Sequence, residues 1–228
     1  MLRPLICAWF LLFGPSVPVV AAEVNDTGAA GNKAKSIEIQ VLDSDGQALE
    51  GTVIELFNPA FLNIPEVQRS SAVMDQINKQ FVPHILVVQR GEMVNFPNSD
   101  SIKHHVYSFS KPKPFQLKLY KDIQPEPIQF GKAGVVALGC NIHDWMVGYI
   151  YVADSHYVSR SDKQGKVTFS FSEPLETESI AFSVWHPRMQ REDIERRAVV
   201  HLGKSVVFEL SQKLHPKLED DVDEFSYQ

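Results

Sequence analysis

Gly139-Cys140-Asn141-Ile142-His143-Asp144-Trp145-Met146 puts a thiol, an imidazole and a thioether on one short loop. The runs on either side, Val135–Leu138 and Val147–Val152, are apolar and β-branched, so the loop joins two strands. A second source of imidazole is His104-His105, at the entry to the strand-like Val106-Tyr107-Ser108. Neighbours on a strand point to opposite faces, so only one of these two histidines reaches a shared site. Two histidines, one thiolate and a weak axial thioether are the donor set of a mononuclear blue-copper electron-transfer centre. Cys140 and His143 can bind in a trigonal plane while Met146 returns at the start of the next strand to lie on its axis. Thiolate and thioether favour Cu(I) and imidazole accepts both states, so little rearrangement would accompany electron transfer.

Outward from this loop the chain reads as all-β. Ile85–Val88, Val94–Phe96, Val106–Phe109 and Phe115–Tyr120 precede it as short strands separated by Gly, Pro, Asn, Asp or Lys clusters, a spacing that means a sandwich or barrel. Further upstream, Ile37, Ile39 and Val41 alternate with Glu38 and Gln40. Asp43-Ser44-Asp45-Gly46 reads as a turn and Val53–Phe57 as a returning strand, a hairpin-like opening. The stretch 58–83 carries Pro59, Pro65 and Pro83 around a candidate short helix near Val67–Asn78. After Ala153, a second small β unit is expected from Tyr157–Val158, Val167–Phe171, Ile180–Trp185, Ala198–Leu202 and Val206–Leu210. Its strands are candidates to pack with Ile37–Phe57. The expected division is therefore 37–83, 84–153 and 154–211, with a leader at 23–36 and an acidic tail at 212–228 that includes Glu219, Asp220, Asp221, Asp223 and Glu224.

The first residues read as an export signal: Arg3, then an apolar Leu5–Phe13, then Val20-Ala21-Ala22 as a cleavage site after Ala22. The expected location is the periplasm. Pro15 and Pro18 break the apolar run short of the roughly 20 residues a transmembrane segment needs. Cys7 leaves with the signal, so Cys140 alone remains and no internal disulfide can form. A lone thiol in an oxidising compartment is protected either by burial as a small hydrophobe or by a metal.

The 228 residues are 44% hydrophobic and 22% charged, which suits a chain with a real core. With 22 Lys+Arg against 28 Asp+Glu the net charge is −6, which argues against nucleic acid as a partner, and no basic patch stands out. Glycine-rich phosphate loops and fixed-period repeats are lacking. A binuclear copper centre would need a second cysteine in the loop, and a structural zinc site would use Cys and His without Met. Cys140 with His143 could imitate a nucleophile and base, but the following Met146 makes a ligand arrangement of it. His84, His156, His186, His201 and His215 are taken as structural or surface residues.

The Cys140-x-x-His143-x-x-Met146 loop resembles that of the plastocyanin/amicyanin-like cupredoxins. Gly91-Glu92-Met93-Val94-Asn95-Phe96 with Asn98 resembles the strand before the first copper histidine of that family. His104, Val106 and Ser108 resemble its continuation, and Ala133-Gly134-Val135-Val136 its penultimate strand. The resemblance covers roughly 84–153. The whole chain is also similar to proteins labelled methylamine utilization proteins, in which such a domain is joined to a transthyretin-like or carboxypeptidase-regulatory-like β segment. The resemblance implies a Greek-key β-sandwich with that additional segment, holding one type 1 copper ion. It implies His104, Cys140 and His143 as strong ligands, Met146 as the weak one, periplasmic redox proteins as partners, and no bond-making catalysis. Two positions depart from the family: His105 stands where it usually has Asn, and Asp144 where the amicyanin-type loop has Pro. Two other functions fit the same residues, a copper-delivery protein without redox cycling and an interaction module using 154–228.

Overall fold

The computed structural model describes residues 36–58, 71–171, 177, 179–189, 196–201 and 204–216. The expected export signal, nearly all of the leader and the acidic run from Glu219 lie outside the described residues. Within them every regular element is a strand, and no helix is long and apolar enough to cross a membrane.

The strands are β1 (Ser36–Leu42), β2 (Val53–Phe57), β3 (Ala72–Val73), β4 (Asp75–Ile77), β5 (Gln80–Val82) and β6 (Ile85–Gln89). The middle of the chain forms β7 (Met93–Asn95), β8 (His104–Ser108), β9 (Phe115–Tyr120), β10 (Ile128–Gln129), β11 (Gly134–Cys140) and β12 (Val147–Ala153). Five more follow: β13 (Val158–Arg160), β14 (Lys166–Ser170), β15 (Ser179–Trp185), β16 (Arg196–His201) and β17 (Ser205–Glu209).

The sheets are β14-β1-β17, β13-β2-β15-β16, β6-β12-β11-β8-β9, β10-β7-β3 and the small hairpin β4-β5. Three apolar clusters fill the spaces between successive sheets. Ile37, Ile39 and Val41 of β1 meet Ile54 and Leu56 of β2 and Phe182 and Val184 of β15. Val53 of β2 and Trp185 of β15 turn the other way, onto Ile85, Tyr151 and Ala153 of the five-stranded sheet. The opposite face of that sheet contributes Val88, Val106, Val136, Leu138, Ile150 and Val152 to a third cluster with Val94, Phe96 and Phe130. This packing explains why β2 is buried on both faces and reads as a nearly continuous apolar run. The result is an all-β, sandwich-type architecture.

Two expectations change. β1 and β2 belong to different sheets and do not pair with each other; the Leu42–Ala48 bridge only closes the Asp43–Gly46 turn, after which the chain passes from one layer to the next, so no β1–β2 hairpin forms. All pairings of β1 and β2 are with strands beyond Ala153. The helix expected near Val67–Asn78 starts outside the described residues, and from Ala72 onward the chain is extended. Met74 and Gln76 are buried in alternation, and Asn78 and Lys79, both at positive φ (52° and 62°), turn β4 directly into β5. Such a left-handed pair makes the tight two-residue reversal that suits strand twist.

Candidate metal centre

Cys140 closes β11, where its cross-strand partner is Val106 of β8. His104 opens β8 two residues earlier on the same buried face, so sheet pairing brings the residue-104 imidazole beside the residue-140 thiol. Cys140 Sγ lies 3.7 Å from His104 Nδ1 and 3.9 Å from His143 Nδ1. The three donor atoms lie within 4.8 Å of one another, and this is the one such cluster of His, Cys or carboxylate groups among the described residues. His143 is brought back over the thiol by a tight turn in which Met146 N donates to His143 O at 2.9 Å.

The spacing can be tested against an ion. Thiolate at about 2.3 Å and imidazole at about 2.0 to 2.1 Å from one ion, about 120° apart, place sulfur and nitrogen about 3.7 to 3.8 Å from each other. Both observed separations lie close to that value. One soft thiolate with two imidazoles is a donor set that fits copper.

The His104 ring is fixed from behind. Its Nε2 lies 2.7 Å from Asp100 Oδ2, so the N–H points at the carboxylate and the Nδ1 lone pair faces the sulfur. Asp100 also accepts Asn78 N at 2.7 Å and Lys79 N at 2.8 Å. Burial opposes ionisation of this carboxyl, but the bonds from Lys79, His104 and Asn78 outweigh it and hold it below the usual carboxylate range. The β4–β5 turn thus clamps Asp100, and Asp100 clamps the imidazole. His143 is held below the ordinary histidine value by burial, then by His104 and Lys79, with Asp100 opposing. That favours the neutral, metal-binding form.

The neighbouring histidine goes elsewhere. His105 is half-buried on the other face of β8, and its Nε2 accepts from Gln116 Nε2 at 2.7 Å. It contributes its backbone: Asn141 N donates to His105 O at 3.4 Å, tying the loop to β8. Met146 is buried at 1% exposure in the apolar cluster that contains Cys140 and Val106. Across from His104, Tyr120 donates to Phe96 O and accepts from Gln76 Nε2. Burial pushes its phenol up to about 12, so this wall of the site stays uncharged. Cys140 and His104 are 2% and 0% exposed, whereas His143 is only half-buried between Ile142 and Trp145. Trp145 stands 54% exposed with its ring edge-on to His143 at 5.3 Å. His84, His156, His186, His201 and His215 are outside the converging group.

Asp100 and the Asn78–Lys79 turn were not among the sequence candidates. The available signal was an aspartate four residues before His104 in a turn-forming Asn98-Ser99-Asp100 run, where Asp100 N bonds Asn98 Oδ1 at 3.0 Å.

No protein-family model matches the chain, and no curated protein matches it. Among solved structures it is similar to amicyanin. An oxidised amicyanin mutant aligns at 23% identity over 39% of this chain and 88% of its own, with a TM-score of 0.34. A reduced Cu(I) form of another amicyanin mutant, at pH 4, aligns at 24% identity over 46% of this chain and 100% of its own, also with a TM-score of 0.34.

Proposed function

We propose that this chain is a mononuclear copper protein of the blue type, exported to the periplasm after cleavage behind Ala22, that carries single electrons between redox proteins. The observation that supports this most directly is the convergence of two imidazole Nδ1 atoms on the sulfur of a buried cysteine. Cys140, His104 and His143 would hold the copper, with Met146 as the weak fourth donor, and the ion would supply one-electron Cu(I)/Cu(II) chemistry. The protein's own residues do the rest. Strands β8 and β11 hold Cys140 and His104 on a rigid sheet, which limits rearrangement between oxidation states. Asp100 fixes the His104 tautomer. Burial of Cys140 excludes water and oxidants from the thiolate. The half-buried ring of His143, flanked by exposed Ile142 and Trp145, offers the shortest way from the donor group to a partner's surface.

The deciding experiment is the visible spectrum and copper content of the chain from Glu23 onward, loaded with Cu(II), beside Cys140→Ser. An intense thiolate-to-copper band that disappears in the variant is expected. Stoichiometric copper without the band would replace the electron carrier by a delivery protein, and no bound copper would end the copper reading altogether.

A further inference from the structure

At the end of β8 away from the metal centre, the chain turns through Phe109-Ser110-Lys111-Pro112-Lys113-Pro114 into β9. Phe109 is 87% exposed, more than any other large apolar side chain among the described residues. The turn is nevertheless pinned. Ser110 N donates to Ser108 Oγ at 3.1 Å, Lys113 N to Ser110 O at 3.1 Å, and Ala137 N to Ser110 Oγ at 2.9 Å. Pro112 rests against Gly134, where an added Cβ would stand 2.9 Å from its ring, so the loop carrying exposed Lys132 borders the same tip.

The charge around this tip is one-sided. Residues 101–121 contain Lys103, Lys111, Lys113, Lys118 and Lys121 and neither an acidic residue nor an arginine. Against a total of −6, these five charges leave the rest of the chain at −11. Among the described residues none of the five, nor Lys132, makes an ion pair. Of two carboxylates at the same end of the sheet, Asp154 is neutralised by Arg90 at 2.9 Å, while Glu92 keeps its charge and accepts Gln89 N at 2.9 Å. Lys111 and Lys113 lie in the turn itself and the Pro112–Gly134 contact brings Lys132 beside them, whereas Lys103 and Lys121 sit at the opposite end of the hairpin, next to the paired His104 and Tyr120.

We propose that the β8–β9 tip docks the protein on an anionic phospholipid surface, with Phe109 entering the headgroup layer and Lys111, Lys113 and Lys132 facing lipid phosphates. Three features favour lipid over an acidic protein. The cations are all lysines, point charges suited to a diffuse anionic surface, whereas protein interfaces are depleted in lysine and enriched in arginine with its directional fork. The apolar group is a single protruding side chain at a fixed tip, a shape that inserts into a soft layer and leaves little flat area for a protein partner. Finally, the acidic remainder of the molecule is repelled by the same surface, so only this orientation is attractive. His104 lies five residues back along the strand, about 17 Å from the tip, so docking leaves the His143 face turned toward the solvent.

The test is co-sedimentation of the chain from Glu23 onward with vesicles of phosphatidylcholine containing phosphatidylglycerol, and with vesicles of phosphatidylcholine alone. Starting at Glu23 removes the apolar Leu5–Phe13 stretch, which would bind lipid by itself. Binding is expected on the anionic vesicles only, and is screened away at high salt. The triple variant Lys111→Glu, Lys113→Glu, Lys132→Glu should lower the partition coefficient by about 100-fold or more, at about fivefold per lysine. Phe109→Ser should lower it about tenfold without changing the salt dependence. Thermal midpoints equal to wild type show that the variants are folded. Failure of the wild type to sediment with anionic vesicles, or an unchanged triple variant, overturns the proposal. So does equal binding to soluble polyglutamate with no effect of Phe109→Ser, which would assign the tip to an acidic protein instead.

Discussion

At residue 104 the imidazole has two jobs for its two nitrogens, and Asp100 decides which does which. The carboxylate takes the Nε2 hydrogen, leaving Nδ1 toward Cys140. Asp100→Asn keeps the shape but can present an amide N–H to Nε2, which pushes the hydrogen onto the wrong nitrogen. Copper affinity, measured by competition with a chromogenic chelator, is expected to fall about 10- to 100-fold. His105→Ala, on the other face of β8, should leave the affinity nearly unchanged. An equal loss in both variants would mean that the ring orientation at His104 does not depend on Asp100. The candidate residues Cys140, His143 and Met146 could be picked out in the sequence because a short loop keeps them together. Asp100 could not be weighed in the same way, because its role depends on amides from Asn78 and Lys79, some twenty residues upstream.

At the scale of the element, the turns decide where each strand goes. Gly165 sits at φ +72° in the turn before β14, and its carbonyl accepts Val41 N at 2.8 Å. An added Cβ there would stand 2.3 Å from the Val41 carbonyl oxygen, in backbone that cannot move without breaking β1–β14 pairing. Gly165→Ala is therefore expected to destabilise the protein by about 2 to 4 kcal/mol, combining left-handed strain with the clash. A urea-unfolding midpoint within error of wild type would contradict this. The strands themselves were readable: period-two alternation at Ile37, Ile39 and Val41 puts those side chains on one face, and they are buried there. The β4–β5 hairpin was not, because its Asn78-Lys79 turn lacks the glycine that usually signals one.

At the scale of the whole molecule, the contact between the second and third sheets is both apolar and polar. Beside Val53, Tyr151, Ala153 and Trp185, the buried Glu55 accepts Tyr151 OH at 2.9 Å, Asp154 N at 2.8 Å and Ser155 N at 2.7 Å. Glu55→Ala would leave three donors without their acceptor and is expected to cost about 3 kcal/mol or more in chemical denaturation. Acid stability carries a second signature from the same region. His186, at the end of β15, is pushed down to about 4 by burial and then by Arg188, against a hydrogen bond to the Glu50 backbone. The unfolded chain takes up that proton near 6.5 and the folded one does not, so stability falls as pH drops from about 6.5 to about 4. The loss is at most about 3 kcal/mol. Burial raises the Glu55 carboxyl despite its three donors, which works with the opposite sign: its contribution is present at low pH and lost as pH rises through the folded value. In His186→Gln the difference in urea midpoint between pH 7 and pH 4.5 should narrow. An unchanged difference would place the acid sensitivity elsewhere.

By itself the sequence determined the class of the fold and the position of most strands, and it pointed to His104, Cys140 and His143, whose donor atoms the structure brings together. All of these rest on period-two patterning and on donors a few residues apart, which are local properties. The tertiary structure alone decided the rest: that β1 and β2 enter different sheets, that Asp100 stands behind His104, and that the loop of Lys132 borders the tip carrying Phe109, Lys111 and Lys113. The reason is register. Which strands pair across more than a hundred residues depends on which faces can be buried together, and β2 shows this most plainly, since its two faces are completed by opposite sheets.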